Sequence, residues 1–115
     1  MPPKAAAYIA QEAFRRYGPI EPTLAAKLQR NIRRNLGVTV PRDGIQRLAE
    51  FYKAMYEYGA RRLGKYLRPP SGYYADAADV KLPEFRADLA ARYPSETRLT
   101  IEMLSWYVVF YEHLK

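Results

Sequence analysis

Cysteine is absent from this chain of 115 residues, and histidine occurs once, as His113. No disulfide can staple the fold, no thiol can act as a nucleophile, and a zinc site of the Cys/His type is excluded. The sequence has no P-loop, dinucleotide fingerprint or metal-ligand box. It has no run approaching the roughly 18 to 20 apolar residues of a membrane span. The most apolar stretch, 99–114, is interrupted by Thr100, Glu102, Ser105, Glu112 and His113. Met1-Pro2-Pro3-Lys4 leads into a short alanine-rich segment rather than a signal-type hydrophobic core, so no secretory leader is expected. Phenylalanine (four) and tryptophan (one) are scarce, whereas tyrosine occurs 11 times. Tyrosine combines an apolar ring with a hydroxyl, which suits wet or shared interfaces.

Negative charge is also scarce where positive charge is dense. The first 69 residues hold 14 Lys and Arg against five Asp and Glu, whereas residues 70–115 hold five against seven. The net charge of +7 is therefore sorted along the chain. With 49% hydrophobic residues the chain can form one modest core, and its basicity is not that of a disordered tail. One cationic region beside a region that need not touch a polyanion favours a phosphate backbone as partner. The lack of cysteine, the arginine and tyrosine usage and the nine prolines fit a thermophilic protein.

Proline and glycine divide the chain into helix-sized pieces. The first runs from Lys4 to Tyr17 and is closed by Gly18-Pro19. The second runs from Pro22, suited to a first helical turn, to Leu36, with Gly37 as terminator. Val38-Thr39-Val40 is extended because Pro41 restricts the residue before it. Asp43, with Gln46 three residues on, has the spacing of a capping box for a third helix, which reaches about Leu67 and is ended by Pro69-Pro70-Ser71-Gly72. A loop with a short turn near 76–80 precedes a fourth helix from Pro83 to Tyr93, and Ser95 is the expected cap of the last helix. No strand of useful length is predicted. The expected class is all-α: a basic helical arm at 1–37, followed by a helical bundle at 38–115.

The second helix carries the sharpest pattern. At about 100° per residue, Leu24, Ala25, Leu28, Ile32 and Leu36 occupy one aliphatic arc. Lys27, Arg30, Arg33 and Arg34 occupy the opposite arc, and no acid follows Glu21 in the helix. Four like charges without intrahelical partners repel one another, and an external anion relieves that cost. A solvated face, an acidic protein surface and a membrane are the alternatives. Interfacial helices usually present Trp or Phe on the apolar side, and this one has only Leu, Ile and Ala. Further cations, Lys4, Arg15, Arg16, Arg61, Arg62, Lys65 and Arg68, extend the candidate backbone-binding set. Several lie near helix C-termini, where the helix dipole alone favours them, and Glu57 is placed to pair with Arg61. Lysine and arginine on phosphate give affinity without sequence information. Tyr73-Tyr74 offers either loop packing or base stacking.

The last helix is apolar on most sides. Leu99, Met103, Trp106, Tyr107, Phe110 and Tyr111 are its candidate subunit-interface residues, the other possibility being a central core helix. Catalysis has little support. His113 has no Ser or Asp constellation, and Asp76, Asp79, Glu84 and Asp88 read as helix-start and loop charges. No enzyme activity, cofactor, metal or small-molecule substrate is expected, and membrane contact is not favoured.

In layout, size and composition the chain resembles the major coat proteins of filamentous double-stranded DNA viruses of hyperthermophilic archaea, the rudivirus, lipothrixvirus and tristromavirus group. The candidate arm is Ala5 to Leu36, turning at Gly18-Pro19-Ile20, and the candidate bundle is Ile45 to Leu114. Arg15-Arg16-Tyr17-Gly18 and Gly59-Ala60-Arg61-Arg62-Leu63-Gly64 are similar in character to family segments. The resemblance implies a helix-turn-helix arm and helical bundle, two identical or paralogous copies clasping a duplex held in A-form, and a structural role in a virion assembled in the host cytoplasm. A cellular helix-turn-helix regulator or chromatin protein, and an adaptor whose basic face meets an acidic partner, are the competing readings.

Overall fold

The structure, a computed structural model, describes residues 2–16, 21–69 and 75–114, with Arg16 described by its backbone alone. Five α-helices account for most of these residues: α1 (Pro3–Arg16), α2 (Pro22–Leu36), α3 (Arg42–Arg62), α4 (Leu82–Arg92) and α5 (Arg98–Val109). Short 3-10 turns occupy Leu63–Tyr66 and Ala77–Asp79, and Phe110–Leu114 continues α5 as a π-helical turn. The chain is all-α. Its sole β feature among the described residues is an isolated antiparallel bridge between Leu67 and Val80.

Local chemistry sets most boundaries. Pro22 opens α2, and Gly37 closes it in the left-handed region at φ 68°, returning its N–H to the Arg33 carbonyl. The first bond of α3 runs from Ile45 N–H to the Pro41 carbonyl, so the helix begins one residue before the expected Asp43 cap. The Asp43 carboxylate instead pairs with Arg47 at 3.2 Å. Helix α5 is capped by Thr97, not Ser95: its hydroxyl accepts from the Thr100 N–H. Ser95 lies in the preceding turn, where the Glu96 N–H bonds the Tyr93 carbonyl. The expected stops at Gly18-Pro19 and at Pro70-Ser71-Gly72 lie outside the described residues.

The chain forms two compact units, Met1–Met55 and Tyr56–Lys115, which divide within α3. This differs from the arm-and-bundle division expected at residue 37. The reason is visible in the first unit. The Gln29 side chain donates to the Val40 carbonyl at 2.9 Å, and Arg42 Nε donates back to Gln29 Oε1 at 3.0 Å. These bonds tie the end of the extended connection to α2. Phe14 of α1 meets Tyr52 of α3 edge-to-face at 5.6 Å. Ile9, Phe14, Leu28, Ile32 and Ile45 are among the unit's fully buried side chains.

In the second unit Phe85, Leu89, Leu104, Val108 and Val109 are fully buried. Gly59 is where α3 comes close to this core. A Cβ built there would lie 3.2 Å from Val108 Cγ2, 3.6 Å from Leu89 Cδ2 and 3.7 Å from Phe85 Cζ. A larger side chain at this point has to displace packed neighbours. Gly59→Val is accordingly expected to destabilise the protein by about 1 to 3 kcal/mol, read as a lower urea midpoint with an unchanged m-value. Unchanged stability would disprove the close approach.

Candidate nucleic-acid interface

Helix α2 divides as its sequence pattern predicts. Ala25, Leu28 and Ile32 are buried, and Leu24 and Leu36 are half-buried. Lys27, Arg30, Arg33 and Arg34 are all exposed. Among the described residues no carboxylate forms an ion pair with any of the four. Arg34 donates through Nη2 to Asn31 Oδ1 at 3.0 Å, and Asn31 donates through Nδ2 to the Tyr8 hydroxyl at 3.3 Å. A neutral hydrogen-bond chain therefore steadies one cation without neutralising it. Arg33 and Arg34 also stand in the last turn of α2, where the helix dipole favours them.

The first compact unit holds ten Lys and Arg against four Asp and Glu. Two of those acids are engaged, Glu12 with Arg15 at 3.2 Å and Asp43 with Arg47 at 3.2 Å. Arg15 thus carries a local partner, and the side chain of Arg16 lies outside the description. Lys4 is exposed and lines two clefts between the start of α1 and the end of α2, together with Asn35 and Leu36. In the sequence Asn31 and Asn35 stand as polar residues of α2 outweighed by its cations, and Tyr8 reads only as one of the larger side chains of α1. The signal for the two asparagines was their i,i+4 spacing beside the cationic arc.

The second group of sequence candidates divides differently. Arg61 and Lys65 are exposed, and the expected Glu57–Arg61 pair does not form among the described residues. Arg68 is exposed and donates to the Ala78 carbonyl at 3.0 Å. Arg62 must be removed from the set of free cations. Its Nη2 lies 2.7 Å from Asp88 Oδ2, and its Nε donates to the same oxygen at 2.8 Å. The Tyr58 and Tyr66 hydroxyls also donate to Asp88, at 2.7 and 2.5 Å. Tyr58, Arg62 and Tyr66 are spaced four apart and so converge on one face, where α4 presents Asp88.

Asp88 is therefore no helix-start charge. Burial alone would raise its pKa, but hydrogen bonds from Tyr58, Tyr66 and Arg62, with the Arg62 charge, outweigh that and bring it from 3.8 to about 2. The same hydrogen bond to Asp88 is the main cause that raises the pKa of Tyr58, of Tyr66 and of Arg62. Asp79 departs from the loop-charge reading too. It is buried, accepts from the Asp76 N–H at 3.1 Å and lies 3.5 Å from His113 Nε2.

Helix α5 packs one face and exposes the other. Ile101, Leu104, Ser105, Val108 and Val109 are buried. Leu99 is 61% exposed, Trp106 48% and Phe110 44%, with Met103, Tyr107 and Tyr111 half-buried. Tyr107 stacks on Tyr111 at 6.1 Å, and Phe110 meets Tyr111 edge-to-face at 5.2 Å. All six sequence-predicted interface residues thus retain solvent exposure. Tyr73-Tyr74 lies outside the described residues. No helix is long and apolar enough to cross a membrane, and no group of three or more His, Cys, Asp or Glu could hold a metal ion, both among the described residues.

The pKa of Asp88 generates a pH prediction. Its folded value lies below its ordinary one, so its contribution to stability is fully present above pH 3.8 and is lost as pH falls toward 2. Acid titration of folding stability is expected to steepen in that window, and Asp88→Asn to flatten it. Equal slopes in the two proteins would rule out the network. Comparison of the chain with protein-family models, curated proteins and solved structures finds no match.

Proposed function

We propose that this protein is a non-enzymatic DNA-packaging subunit, a coat protein of a filamentous virion, that binds duplex DNA through its phosphate backbone without reading sequence. The observation that carries the proposal is the α2 face: four exposed cations on one helix, with no carboxylate partner among the described residues. Such an array is costly in a free protein and gains on meeting a polyanion, since bound phosphates relieve the repulsion and release counterions. The aliphatic side of the same helix is buried, so the helix is held on its scaffold while its charge faces out. Exposed Arg61, Lys65 and Arg68 add candidate contacts. The virion setting and the A-form duplex rest on the sequence's resemblance in size and composition to filamentous-virus coat proteins.

The test is binding of random-sequence duplex at several salt concentrations. Affinity is expected to fall steeply with salt, with a log–log slope of about −0.9 for each phosphate contacted, and Lys27→Ala or Arg30→Ala each to reduce that slope by about one. Added to long DNA, the protein should give uniform filaments by electron microscopy. Sequence preference or bending without filaments would favour a regulator. Salt-insensitive or absent binding would favour an adaptor and overturn the proposal.

Coat assembly also needs subunit contacts, and the outer face of α5 is the proposed surface, meeting a second copy or a paralogue. Leu99, Met103, Trp106 and Phe110 follow a 4-3-4 spacing, the repeat of a two-helix seam. Trp106→Ala combined with Phe110→Glu is expected to abolish self-association in light scattering while the variant remains folded. A wild-type protein that stays monomeric at high concentration and on DNA would sink this part.

A further inference from the structure

The cations of α2 are joined by one from α3. Arg42 opens α3, and its side chain reaches back to α2. It stands outside the backbone-binding set read from the sequence. Its Nε donates to Gln29 Oε1 at 3.0 Å, and Gln29 Nε2 donates to the Val40 carbonyl at 2.9 Å. The carbonyl can only accept, so this second bond sets the Gln29 amide with its oxygen toward Arg42. Gln29 is half-buried and Val40 is buried. Arg42 is thus aimed by a side chain that is itself held in place.

Two local fields oppose a cation at this position. The start of a helix is the positive end of its dipole, so the effect that favours Arg33 and Arg34 at the end of α2 disfavours Arg42 at the start of α3. Gln29 also stands one helical turn before Arg33, which places the guanidinium it binds beside the cationic arc. No acid compensates. Asp43, next in sequence, is engaged by Arg47 at 3.2 Å, and Gln29 accepts a bond without cancelling charge. A neutral donor at residue 42 could bond Gln29 without this electrostatic cost. Arg42 is exposed, and its two Nη groups meet no acceptor among the described residues. With Nε committed to Gln29, that free pair can grip an oxyanion by two parallel bonds.

We infer that Arg42 is a phosphodiester contact of the bound duplex, gripping one phosphate through its Nη pair, and that Gln29 is the residue that positions it. The inference rests on the reading of α2 as a backbone-binding helix and deepens it, since the contact surface then spans two helices. The cations of α2 supply attraction, and an aimed guanidinium from a second helix fixes where one phosphate sits, so each subunit takes a defined place on the backbone.

Random-sequence duplex binding across a salt series tests this, with each variant checked for folding by thermal melting. Arg42→Ala is expected to weaken affinity about tenfold, in line with lost hydrogen bonds to a charged group, and to reduce the salt slope by about one. Arg42→Lys should restore the slope but not the affinity, because a point charge cannot grip two oxygens. Gln29→Ala removes no charge, so it should weaken affinity at an unchanged slope. Arg98→Ala removes an equal charge from an arginine that is paired with Glu102, and should leave affinity near that of the wild type. Wild-type affinity and slope in Arg42→Ala, while Lys27→Ala lowers the slope, overturn the Arg42 contact and leave the duplex reading intact. A lower melting temperature in Arg42→Ala with wild-type binding makes Arg42 a structural tie alone and overturns the contact. Full affinity in Arg42→Lys overturns the aimed grip. A wild-type protein that binds no duplex overturns the duplex reading and the contact with it.

Discussion

Repulsion among the cations of α2, set against burial of its opposite side, is the constraint from which the functional reading follows. Guanidinium and ammonium groups cannot leave water without a partner, whereas Leu28 and Ile32 gain roughly 2 kcal/mol each by doing so. The helix can therefore be held only by its aliphatic side, and its cations are left to solvent. Gln29, at the border between the two arcs, reinforces this by bonding the Val40 carbonyl and receiving Arg42. The connection after α2 is thus fastened to the helix, and Pro41, at the end of that connection, supplies the carbonyl that starts α3.

The second compact unit handles charge in the opposite way. Asp88 is nearly enclosed, with 9% of its side chain exposed, and it persists as a carboxylate because two hydroxyls and a guanidinium bond it. No buried side-chain polar atom among the described residues lacks a partner. Arg62 stands beside Arg61 in sequence and faces a different environment: one residue further along a helix turns a side chain by about 100°. Adjacent arginines therefore have different fates, Arg62 in an internal network and Arg61 in water.

Much of the architecture was legible along the chain. The α2 bounds follow from Pro22 and Gly37, since these residues act through their own backbone geometry. The all-α class follows from the spacing of apolar residues. The Ser95 cap was not legible, because Ser95 and Thr97 both suit a cap and the choice depends on where the chain leaves the turn after α4. The compact units do not divide at residue 37, for a similar reason. Gly37 ends a helix, but a helix end becomes a division between units only if few contacts cross it, and Gln29, Val40 and Arg42 cross this one.

By itself the sequence determined the composition of each helix face: the aliphatic and cationic arcs of α2, the nearly all-round apolarity of α5, and the surplus of positive charge before residue 70. These follow from order along a rod with a fixed period. Tertiary structure decided which groups remain free. It joined Arg62 to an acid 26 residues away, brought Tyr8 to Asn31 across 23, and buried one face of α5 while leaving Leu99, Trp106 and Phe110 exposed. The physical reason is that a side chain's partner is set by distance in space, and packing brings together residues whose separation along the chain carries no information about their meeting.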